Sequence, residues 1–96
     1  MAVNYKLAKL QAGETIETSE KGNSMTPIIA SGQRHILEPA GVDDCEIGDI
    51  VYCKVHGRFY THKVLAIGNK GVLIGNNKGN INGWTKQVYG KVIKII

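Results

Sequence analysis

Ser24 stands in the run Gly22-Asn23-Ser24-Met25-Thr26-Pro27, the one stretch that presents a candidate nucleophile in a constrained setting. Gly22 permits backbone torsions closed to other residues, while Pro27 fixes its own φ and pushes Thr26 toward extended geometry. The serine is therefore expected in a turn at the end of a strand, its hydroxyl aimed at a cleft. In such a turn the backbone N–H groups of Asn23, Ser24 and Met25 can converge on one point as oxyanion donors. The competing role is local: serine beside Gly, Asn and Pro commonly satisfies the turn's own backbone.

A serine nucleophile needs a base. The chain offers three histidines and, where desolvation strips the proton near neutral pH, lysine. His62 stands out within Tyr60-Thr61-His62-Lys63-Val64-Leu65-Ala66-Ile67, because there a polar pair interrupts an apolar strand pattern. Alternation puts His62 on the face of Tyr60 and Val64, and Lys63 on the other face with Thr61 and Leu65. Only one of the pair can enter a given cleft. His35 and His56 read as strand-end and turn histidines and are assigned no chemistry. The competing role for His62 is that of a histidine satisfied by its neighbours on a half-buried strand.

Gly22-x-Ser24-Met25-x-Pro27 resembles the nucleophile box of signal peptidases and LexA-type self-cleaving repressors, serine peptidases that use a Ser–Lys or Ser–His dyad. Further landmarks follow in that family's order. Gly48-Asp49-Ile50-Val51 resembles the Gly-Asp-x-Val strand opener, and Tyr60-Thr61-His62-Lys63-Val64 the base strand. Gly75-Asn76-Asn77 is similar to the Gly-Asp-Asn loop, and Gly90-Lys91-Val92-Ile93 to the closing Gly-x-Val strand. The resemblance runs from about Gly22 to Ile96 and implies a small curled barrel-like sheet of the signal peptidase/LexA peptidase type. It also implies hydrolysis of extended peptides with small residues beside the scissile bond, with Ser24 as nucleophile and His62 as base.

The departures from that pattern carry chemical consequences. The family's loop after the base usually holds one or two aspartates that orient a histidine base, whereas this chain offers Asn76, Asn77, Asn80 and Asn82. Asparagine can hold a tautomer but adds no charge, so the imidazolium would be less stabilised and catalysis slower. Gly32-Gln33 replaces the customary Gly-Asp. Gly22 supplies no hydroxyl to assist the oxyanion, which leaves the backbone donors alone.

The elements that must position these groups read as short strands between Gly- and Asn-rich turns. Glu14 to Lys21 reads as an exposed strand, Arg34-His35-Ile36-Leu37 as a strand stopped by Pro39, and Ile50 to Val55 as a β-branched and aromatic strand. His56-Gly57-Arg58 turns the chain into Phe59 to Ile67, giving a hairpin. Val72-Leu73-Ile74 is a short strand, Gly75 to Gly83 a loop, and Gly90 to Ile96 the last strand. Met1 to Ala12 fits neither period. The fold class is accordingly all-β, as a single domain over residues 1–96.

Composition bounds the rest. Ninety-six residues suit one modest core, and with 21% charged residues and two prolines the chain is not a disordered one. The net charge of +4 is spread without a block of like charges, which supports solubility and locates no nucleic-acid site. Cys53 falls in a strand pattern and Cys45 in an acidic loop, so two free thiols are expected, one buried and one exposed. That points to a reducing, cytoplasmic compartment. No paired metal-ligand spacing appears, no cofactor is expected, and no apolar run reaches the ~20 residues of a membrane span.

Self-cleavage at Ala12-Gly13 is not expected, because the ten residues before Ser24 must both form a strand and turn back; fully extended they reach only ~34 Å. No helix-turn-helix precedes the peptidase-like part, so a full repressor is not expected either. The partner expected is an extended peptide or protein. Two other classes remain open: the same fold as a non-catalytic binding or assembly module, and a small basic nucleic-acid-binding barrel using Trp84, Tyr60 and Tyr52.

Overall fold

In the computed structural model, which describes residues 4–96, the β-branched and aromatic runs pair into one antiparallel sheet. The elements are helix α1 (Tyr5–Gln11), strands β1 (Ile16–Ser19) and β2 (Arg34–Pro39), a 3-10 turn (Val42–Asp44), and strands β3 (Ile50–Val55), β4 (Arg58–Gly68), β5 (Gly71–Gly75), β6 (Ile81–Thr85) and β7 (Val88–Ile95). Strand order across the sheet is β1-β2-β7-β3-β4-β5-β6.

The β3–β4 hairpin forms because His56 and Gly57 both adopt positive φ, 49° and 82°. This is the combination a two-residue turn needs to match strand twist. The turn pairs Val55 with Arg58 and, further along, Val51 with His62. The sheet then curls. Thr85 Oγ donates to Lys54 O at 2.6 Å, and Lys54 N–H donates to Gln87 O at 2.9 Å, so the end of β6 lies back against β3. The curl stops short of closure: β1 and β6 are edges with no further strand partner among the described residues. The expected barrel is therefore an open, curled sheet.

Because β3 lies mid-sheet, both of its faces are covered. Inside the curl Val51, Cys53 and Val55 pack with Val64, Val72, Ile74 and Val88. On the other face Tyr52 packs with Leu10 and Leu37, capped by α1. A third cluster joins Met25 and Ile29 to Ile50, Val92 and Ile95. No helix among the described residues is long and apolar enough to cross a membrane.

Three local expectations need correction. The undecided N-terminal stretch becomes α1 from Tyr5 on, its first three residues lying outside those described. Seven residues are too few for a stable isolated helix, so docking holds it. Leu10 is buried against the sheet, Lys6 Nζ pairs with Glu20 at 2.8 Å, and Asn4, whose Oδ1 caps the Leu7 N–H, also donates its Nδ2–H to Tyr52 Oη at 2.8 Å. Next, Ile81 to Gly83, read as loop, belongs to β6. Third, Cys45 is buried and not exposed, because the 3-10 turn swings it under the sheet into the Val51 and Cys53 cluster. Both thiols are free. Burial, then the neighbouring charges at Cys45 and Glu20, pushes the Cys53 thiol up to about 12.

Candidate active site

The turn that carries Ser24 is anchored from below. Met25 and Ile29 are 4% and 7% exposed and plug into Ile50, Val92 and Ile95, so the residue just before Met25 has a fixed base. The backbone closes on itself through Thr26 N–H to Asn23 O at 3.2 Å and Ile29 N–H to Met25 O at 2.9 Å. Gly22 takes φ +123° with nothing near the place of a Cβ, so torsion and not space reserves the position for glycine. The Thr26–Pro27 bond is cis. The hydrogen bonds among the described residues use none of the N–H groups of Asn23, Ser24 and Met25.

The Ser24 hydroxyl meets the β4 histidine. Ser24 Oγ lies 3.0 Å from His62 Nε2, across a sequence separation of 38. The imidazole is 8% exposed and lies against the Tyr60 ring at a centroid distance of 4.9 Å, as expected for residues sharing one strand face. On its far side His62 Nδ1 lies 2.7 Å from Asn82 Oδ1. A carbonyl oxygen can only accept, so Nδ1 carries a proton, and in the neutral ring Nε2 turns its lone pair to the Ser24 hydroxyl. That is the tautomer a general base requires.

Asn82 reaches the ring through an irregularity in the sheet. Gly75 pairs with Ile81 and Ile74 with Gly83, so Asn82 is the extra residue of a β-bulge. Bulges re-aim side chains that regular pairing would place elsewhere. The other asparagines do different work. Asn76 Oδ1 accepts from Lys78 N–H and Asn80 N–H, at 2.8 and 3.1 Å, and so braces the loop internally. Asn77 clamps that loop to the serine turn: its N–H donates to Ser24 O and its Nδ2–H to Thr26 O, each at 2.8 Å, while Oδ1 accepts from Lys63 Nζ at 3.1 Å. Asn80 serves through its backbone, its carbonyl accepting from Asn76 N–H at 2.9 Å. None of these three bonds His62.

Two features of the site were not read from the sequence. Lys63, on the opposite face from His62, still supports the serine turn through Asn77. His35 is 1% exposed, and with Glu20, Thr61, Met25, Ile29 and Ser24 it lines a cavity. The alternation of Arg34-His35-Ile36-Leu37 carried the signal for this, since it sets His35 on the face of the buried Leu37. Burial raises the Glu20 carboxyl, but hydrogen bonds from Lys6 and Thr61 and the charges of Lys6 and His35 outweigh it and hold the group below 4.5, its ordinary value. His56 sits in the β3–β4 turn, its ring beside Gly83 of β6.

The aromatic residues considered for base stacking form no common platform. Tyr52 is buried and stacked on Phe59 at 5.5 Å, Tyr60 covers His62, and only Trp84 is substantially exposed. Compared with protein-family models and with curated protein sequences, the chain matches none.

Proposed function

We propose that this chain is a serine peptidase-like domain of the signal peptidase/LexA type that acts on extended peptides, with Ser24 as nucleophile, His62 as general base and Asn82 as the residue that orients the base. The observation that carries this reading is the continuous chain from Ser24 Oγ to His62 Nε2 at 3.0 Å and from His62 Nδ1 to Asn82 Oδ1 at 2.7 Å. Ser24 Oγ bonds to the scissile carbonyl carbon while its proton passes to His62 Nε2. The resulting oxyanion is held by the backbone amides of Asn23 to Met25. Collapse of the tetrahedral intermediate breaks the C–N bond, and the leaving amine takes the proton from His62. Water then attacks the acyl-enzyme, assisted by the same base, and releases the acid and free Ser24.

The second reading is a peptide-binding module without turnover. It is favoured by the neutral amide at His62 Nδ1, which stabilises an imidazolium less than a carboxylate would. A fluorophosphonate probe tests the proposal directly. Covalent labelling of the intact chain is expected at Ser24, abolished in Ser24→Ala and reduced by about 100-fold in His62→Ala. Labelling that survives Ser24→Ala, or none in the parent chain, would remove the enzymatic reading and leave the binding module.

A further inference from the structure

The cavity beside Ser24 is polar at one wall. Met25 and Ile29 supply apolar sides, while His35, Glu20 and Thr61 contribute polar groups. Among the described residues His35 Nε2 is buried without a hydrogen-bond partner. Its ring is oriented by Nδ1, which lies 3.3 Å from Gln33 O. Since that carbonyl can only accept, Nδ1 carries a proton, and in the neutral ring Nε2 presents a lone pair. A buried acceptor with nothing to accept is costly, and it becomes selective when a ligand supplies the donor. Glu20 and Thr61 do not fill this role, because Thr61 Oγ already donates to Glu20 Oε1, which also accepts from Lys6 Nζ.

The position of the cavity says which part of a substrate reaches it. Ser24 is in its wall and His62 is not. In the reaction proposed above His62 protonates the leaving amine, so the leaving group lies toward His62 and the acyl side chain away from it. We infer that this cavity receives the side chain immediately before the scissile bond, and that His35 makes it select a short hydroxyl side chain, serine or threonine, over alanine. The hydroxyl donates to His35 Nε2 while its carbon atoms rest on Met25 and Ile29. His35 touches the substrate without taking part in bond making, and is a specificity-determining residue. The inference rests on the Ser24 peptidase reading and adds the substrate class to it.

Tripeptide diphenyl phosphonates that differ only in the residue next to phosphorus, Ala, Ser or Val, test it on the full chain. The expected result is Ser24 labelling by the Ser probe about tenfold or more faster than by the Ala probe, and slowest by the Val probe. His35→Leu should erase or invert the Ser-over-Ala preference while Ser24 still labels. Should loss of the ring unfold the chain, the contrast among probes on the parent protein stands by itself. In addition, the His35 Nε2 nitrogen resonance should move on reaction with the Ser probe and stay with the Ala probe. Equal or faster labelling by the Ala probe overturns the cavity assignment and leaves the peptidase reading intact. Labelling by a simple fluorophosphonate but by none of the three peptide probes does the same. No Ser24 labelling by any probe overturns both.

Discussion

At the His62 imidazole, one atom separates this site from a charged triad. Asn82 Oδ1 accepts from Nδ1–H at 2.7 Å and so sets the tautomer, but it brings no negative charge to meet an imidazolium. Asn82→Asp keeps the acceptor and adds that charge. It is expected to raise the Ser24 labelling rate about tenfold and to move the acid limb of the pH–rate profile to higher pH, because a carboxylate favours the protonated ring. Asn82→Ala is expected to slow labelling about tenfold without moving that limb upward. A variant pair that changed folding stability and left the profile in place would make Asn82 a merely structural residue. Four asparagines fit the sequence pattern equally well; among them only the one displaced by a bulge bonds His62.

The β5–β6 pair is the element on which that bulge depends. Gly71, at φ +101°, opens β5 so close to the β6 end that an added Cβ would lie 2.1 Å from Thr85 O. Backbone cannot yield as a flexible side chain can, so Gly71→Ala should force β6 away from β5 and carry Asn82 with it. A loss of about 2 kcal/mol or more in urea unfolding is expected, together with slower Ser24 labelling. Gly79→Ala is the control. That glycine has a similar φ of +88° but open space around it, so it should lose only the torsional cost of about 1 kcal/mol and keep Ser24 reactivity. Strand β6 escaped sequence reading because Asn82 and Gly83 look like loop residues, and its partner contacts are what make Ile81–Thr85 extended.

Across the whole molecule, Glu20 ties three regions together, since it accepts from Lys6 of α1 and from Thr61 of β4 and lies just beyond β1. Its folded carboxyl titrates below 4.5. The stability it supplies is therefore fully present above that value and is lost as pH falls through the lower folded one. Thermal unfolding followed on the acid side should show that loss, and Glu20→Gln should flatten it while lowering the midpoint at neutral pH. An unchanged acid slope would place the acid sensitivity elsewhere. The chain alone announced the β3–β4 hairpin, the serine turn and the mainly β class, because each follows from torsional preference or from alternation within a few neighbouring residues. The helix docked through Leu10, the burial of Cys45, the open edge in place of a closed barrel and the choice of Asn82 as partner of His62 were not legible there. Each depends on how far the sheet curls and where its register slips, and those are settled by packing between segments that local preferences do not bring together.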